Sequence, residues 1–429
     1  MVDFAIQKLL CAAKDYNISG DTEREFAIMS RRLALDFDTT VCDRKEKQEA
    51  ELNQMTQVER HMRVCLGVKE GLDSAVTVAA SEPILSEAAA IVMQQSGFRS
   101  SQSLRNILKW PGMSKGDQGE LITCNISIDT LDSLMFEDHQ LKSLSVEVTS
   151  YFEALFASDI YTKKIQSMYP SKLADESRNQ TFASTFANSR IYVTHFIKVY
   201  DYKVLSVEFL AKCAVRGVAI VCADNQRAVD VIFPIVIDKD KPITKENVTA
   251  LFKQSKNDVG YSTKVFPSVF HAMDPYALGV FDKSTENPPP VIRMVYALAT
   301  RKSGVYVAKP PQRKLPPRGA KQKAIPKKKK YAYTSFDIWC AQASSSTFRA
   351  IQEDENEIYA ELLKLSRDVL KMFQPSNKYL TTNAMSMYPC GTSGAGHWQF
   401  CGERVLDEDQ EMVLDEEDEE TDEEDEETD

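Results

Sequence analysis

The chain has 429 residues and a formal net charge of −11, with 43% hydrophobic and 9% aromatic residues. Enough apolar surface is present to bury a core, which excludes a wholly disordered chain, and no apolar run approaches the ~18 residues of a membrane-crossing helix. Nine cysteines without regular spacing exclude a disulfide framework, so a soluble, intracellular, reduced protein is expected.

In chain order, the N-terminal MVDFAIQKLLCAAKDYN lacks the basic start and long apolar stretch of a secretion signal. Phe4, Ile6, Leu9, Leu10 and Ala13 recur at helical spacing. Residues 17–21 (NISGD) form a break, and Thr22 followed by Glu25 has the pattern of a capping box. The spacing of Leu52, Met55, Val58, Met62 and Cys65 predicts a charged helix over 43–66. Another helix is expected over 84–95, closed by Gly97, with a turn at Trp110-Pro111-Gly112.

Strand-like segments begin at 121–128 (LITCNISI) and continue at 190–200, 215–222, 229–238, 291–299 and 336–343. The run at 215–222 is uniformly apolar and is expected to be central. Helices are expected over 147–168, 203–213, 244–254 and about 354–373. The pattern predicts an α+β or mixed α/β fold: a helical region over 1–115, then a mixed-sheet domain over 116–403. That domain is interrupted by a disordered basic segment at 301–333, and a disordered acidic tail follows at 404–429. The basic segment is either a linker between domains or an excursion from one sheet. The excursion is preferred, because the residues after Ala343 offer little core of their own.

The charge is sorted into blocks. Residues 309–330 (KPPQRKLPPRGAKQKAIPKKKK) hold ten Lys/Arg, five Pro and no acid, and residues 407–429 hold seventeen Asp/Glu and no base. Of the 52 basic and 63 acidic residues, 42 and 46 remain elsewhere, so the body is close to neutral. Five prolines keep the basic segment extended. Its Lys327, Lys328, Lys329 and Lys330, with Arg313 and Lys314 upstream, resemble a nuclear import signal, whose receptor takes separate lysines from an extended backbone. Together with Arg318, Lys321 and Lys323, the same charges suit phosphate backbone. Tyr331, Tyr333, Phe336 and Trp339 follow directly; they either stack on bases or begin a buried strand. The acidic tail suits a basic partner such as histones, or competes for the basic segment. Thr421, followed by Asp422, Glu423 and Glu424, has the setting of an acid-directed kinase site.

Two chemical alternatives stand beside this. Asp36-Phe37-Asp38-Thr39-Thr40 resembles the first motif of the haloacid-dehalogenase-like phosphatases. The resemblance implies a strand leading into Asp36 as nucleophile, Asp38 as general acid/base, and magnesium alongside; the other reading is a helix-terminal turn. Cys390, His397 and Cys401, with Cys340 as a fourth ligand, are a zinc candidate, although no CxxC is present to make the tight turn. His61, His139, His195 and His271 stand alone, and His195 is expected to be a hydrogen-bonded core residue.

The sequence therefore points to a non-enzymatic nuclear protein without a cofactor. Its expected partners are an import receptor and nucleic acid or histones, with no membrane. The alternatives are the phosphatase and a cytoplasmic interaction scaffold.

Overall fold

The structure is a computed structural model. It describes residues 1–372 except 13–17, 19, 36–53, 69–74, 96, 109–114, 158, 176–178, 224–225, 259, 286 and 308–330. One compact unit spans Met1–Val369; of the second, Leu370–Asp429, only 370–372 are described. The fold is mixed α+β.

The N-terminal helices are α1 (Val2–Leu10), α2 (Thr22–Leu33), α3 (54–60), α4 (Pro83–Met93), α5 (Ser100–Ile107) and α6 (Lys115–Met135). Asp21 rather than Thr22 caps α2, its carboxylate accepting from the Arg24 amide. A two-stranded ribbon, β1 (Val64–Val68) with β2 (Ala75–Val78), follows α3, so the helix expected over 43–66 stops short of Met62 among the described residues.

The sheet holds β5 (Val146–Glu147), β6 (Arg190–Ile191), β7 (His195–Lys198), β8 (Val218–Val221), β9 (Val231–Val236), β10 (Val248–Lys256), β11 (Val291–Ala297), β12 (Gly304–Val307) and β13 (Ser335–Ala341). A small hairpin, β3 (Phe136–Glu137) with β4 (Gln140–Leu141), lies apart. The order across the sheet is β12-β13-β11-β10-β9, and the far edge of β9 is shared by β8 and β6. β6 pairs with 235–236 and β8 with 231–232. Pro234 sits where that edge passes from one neighbour to the other, a place where its missing N–H costs least. β7, β8, β10, β11 and β13 all point the same way.

Alternation along the strands divides the core. Phe233, Leu251, Ile292, Met294, Tyr296, Phe336 and Ile338 face the N-terminal helices and α7 (Val148–Leu155). Ile232, Phe252, Val295 and Trp339 face α9 (Val207–Arg216) and α10 (Pro267–Ala272). Both faces are covered, so the strands read as unbroken apolar runs. The boundary expected near residue 115 falls inside one compact unit: Arg32 of α2 pairs with Asp132 of α6 at 2.6 Å and donates to the Thr194 carbonyl beside β7 at 2.7 Å.

Two expected elements exchange type. LITCNISI is not a strand but lies within α6. Thr123, Asn125, Ser127 and Thr130 are as buried as Ile122, Cys124, Ile126 and Ile128, because this helix is enclosed on all sides. Several of its polar side chains find partners: Ser127 and Thr130 donate back to the carbonyls four residues earlier, and Thr123 meets Ser255 at 2.8 Å. The stretch 244–254 is not a helix but leads into β10. There its lysine and glutamine find buried partners: Lys253 reaches Ser127 and Tyr151, and Gln254 donates to Asp230.

Smaller shifts follow local chemistry. The strand expected from 215 begins at Val218, because α9 runs to Arg216 and closes on Gly217 at φ +71°. The strand expected over 190–200 is split into β6 and β7. The helix expected over 147–168 ends at Leu155, and a π-helical turn occupies Tyr161–Ile165. At the C-terminal side, α11 (Asn356–Met372) fits the expected helix.

Candidate nucleic-acid interface

Arg313, Lys314, Arg318, Lys321, Lys323, Lys327, Lys328, Lys329 and Lys330 lie outside the described residues, as do Asp36, Asp38, Cys390, His397, Cys401 and Thr421. The two roots of the basic segment are described. β12 and β13 are antiparallel neighbours, with Val307 opposite Ile338, and β11 pairs with β13 in parallel. The segment therefore leaves one strand and returns to the strand beside it. The carbonyl of Val305 accepts the Lys164 ammonium at 2.8 Å, so a lysine from the π-helical turn blunts this sheet edge.

The return root is pinned. Arg293 of β11 and Asp337 of β13 form a buried bidentate pair at 2.7 and 2.6 Å. The same guanidinium donates to the Tyr333 hydroxyl at 3.1 Å and to the Phe270 carbonyl at 2.5 Å. Lys172 lies 3.5 Å from the Tyr333 ring centre and pairs with Asp274. Of the four aromatics after the lysine run, Tyr333, Phe336 and Trp339 are buried, so they belong to the core and are closed to bases. Tyr331 alone is half-buried, its ring 5.3 Å from that of Tyr276.

The chemical alternatives meet the following surroundings. The residues leading towards Asp36 are helix α2 up to Leu33, closed by Ala34 in the left-handed region, and not the strand that the phosphatase motif requires. Cys340 is buried in β13, where burial raises its thiol pKa and removes the thiolate a metal needs. Among the described residues, no group of three or more His, Cys, Asp or Glu could hold a metal ion. His195 is buried, its Nε2 2.9 Å from Ser81 Oγ and its Nδ1 3.0 Å from Thr194 Oγ1. Burial, then the Arg32, Arg216 and Arg31 cations, press its pKa down to about 3. A base that weak does not activate Ser81. His61 is also buried, at 2.7 Å from both the Leu9 carbonyl and Glu23.

Sequence reasoning missed Lys253. Its ammonium position is sealed in the core, 2.6 Å from Ser127 Oγ, 2.8 Å from the Tyr151 hydroxyl and 3.7 Å from the Phe233 ring centre. Burial lowers its pKa to about 7. Its side chain is fully buried, and we assign it no chemistry. The Arg293–Asp337 pair did leave a signal: Arg is third in VIRMVYA and Asp third in SFDIWCA, and parallel register places those positions side by side.

Among the described residues, no helix is long and apolar enough to cross a membrane. Compared with known proteins, the chain matches no family model, no curated protein and no solved structure.

Proposed function

We propose that this is a non-enzymatic nuclear protein that binds nucleic acid or chromatin through residues 309–330 and is modulated by its acidic tail. The observation that carries the reading is a block of ten Lys/Arg without a single acid. What supports it further is that both ends of the block join adjacent strands of one sheet. The charges are then rooted at both ends in a folded sheet, and each phosphate they neutralise releases a counterion. The tail carries seventeen acids on the same chain and competes for those lysines until a polyanion displaces it.

The test is a fluorescent fusion carrying Lys327→Gln, Lys328→Gln, Lys329→Gln and Lys330→Gln. Loss of nuclear accumulation is expected. An unchanged nuclear signal would remove the import role, and a parent fusion that stays cytoplasmic would favour the scaffold.

A further inference from the structure

Five parallel strands place their carboxyl ends along one end of the sheet, and the loops that leave there carry exposed aromatic rings among cations. Backbone hydrogen bonds align these ends: the Val199 amide donates to Val221, the Asp230 amide to Lys253, the Leu298 amide to Lys256 and the Gln342 amide to Ala297. Just beyond β7 stand Tyr200 and Tyr202, 69% and 58% exposed, with Lys203 beside them. Arg227 follows in the loop from β8 to β9, and Arg301 and Lys302 in the turn after β11; all three are exposed. Asp201, Asp230 and Asp258 share this end. The Asp230 carboxylate is taken up by Gln254 and the Ser255 amide, and Asp201 by the Lys203 amide. Across β7-β8-β9-β10-β11, four strand spacings give about 19 Å, the scale of a few nucleotides.

We infer that this sheet end is a second nucleic-acid contact, for single strands. Tyr200 and Tyr202 offer ring faces to unstacked bases, while Lys203, Arg227, Arg301 and Lys302 follow the phosphates. The choice of single strand over duplex rests on the rings. Bases inside a duplex are already stacked, so exposed tyrosines gain nothing from them, whereas cations alone serve both forms. The inference rests on the nucleic-acid reading above but uses a different surface from residues 309–330.

The test uses the full chain with the ten Lys/Arg of 309–330 changed to Gln, and fluorescence anisotropy with a labelled oligothymidylate and a duplex of equal length. Retained single-strand binding is expected. In that background, Tyr200→Leu or Tyr202→Leu weakens single-strand binding about tenfold, Tyr→Phe at either position keeps it, and the duplex responds far less. The high exposure of both side chains leaves folding intact, checked by an unchanged urea midpoint. If the neutralised chain loses all binding while the parent binds, the second contact is overturned and the basic-segment reading stands. Equal losses on single strand and duplex overturn the stacking role. A parent chain that binds neither form removes both readings.

Discussion

Lys253 makes the stability of this protein depend on pH in a way one substitution removes. Its pKa falls from the ordinary 10.5 to about 7, because burial penalises the ammonium form. Between those two values the unfolded chain holds a proton that the native chain does not. The free energy of unfolding therefore rises with pH across this window, by ~1.4 kcal/mol per pH unit and about 5 kcal/mol in all. Below pH 7 both states hold the proton and the contribution is flat at its least favourable.

Lys253→Met keeps the unbranched shape and removes the charge. It also removes two hydrogen bonds, to Ser127 and Tyr151, each worth about 1 kcal/mol. The variant is expected to be more stable than the parent by roughly 3 kcal/mol at pH 6 and less stable by roughly 2 kcal/mol near pH 10.5, so the two curves cross. Urea unfolding followed by the fluorescence of buried Trp339 measures both proteins from pH 6 to 10.5. Groups that titrate in both cancel in the difference, provided the m-values agree. A difference that stays constant across the range would refute the reasoning, since it would mean Lys253 is protonated, or unprotonated, in both states throughout.

Other outcomes follow from single contacts. Asp337→Ala leaves the Arg293 guanidinium buried without its carboxylate and is expected to cost about 3–5 kcal/mol in urea unfolding, whereas replacing both partners by apolar residues recovers much of the loss. Gly217→Ala sets a Cβ 2.9 Å from the Tyr192 carbonyl oxygen at φ +71°, and a loss of roughly 1–3 kcal/mol is expected, visible as a lower thermal midpoint. Truncation after Leu406 is expected to raise nucleic-acid affinity and steepen its fall with salt; identical titrations would show that the tail does not compete.

How far the fold could be read from sequence depended on burial. β9, β11 and β13 were legible because both of their faces are covered, leaving apolar runs too short for helices. α6 and β10 were exchanged for the same cause. Full enclosure erases the polar face that separates a helical repeat from a strand repeat, and Thr123, Asn125, Ser127 and Lys253 bury polar atoms against partners far away in sequence. The charge blocks were legible by counting alone. The aromatics after the lysine run were ambiguous, and the pairing of β11 with β13 decides them, because it turns Phe336 and Trp339 into the sheet's two faces. Tyr200 and Tyr202 escaped notice since nothing local separates an exposed tyrosine from a core one; only the direction of β7 brings them to the same end as Arg301.

The strand pair β12 and β13, between which residues 308–330 fall in sequence, is mechanically lopsided. A ligand that pulls on the segment loads Val307 and Tyr331 together. Val307 ends a four-residue strand that, among the described strands, pairs only with β13 and is held besides by the Lys164 hydrogen bond to the Val305 carbonyl, so tension there works against few bonds. The strand after Tyr331 lies between two neighbours and is stitched further by Arg293 and by Ser171, whose hydroxyl accepts from the Asp337 amide. The departing strand is therefore the weaker of the two roots and the returning strand the stronger.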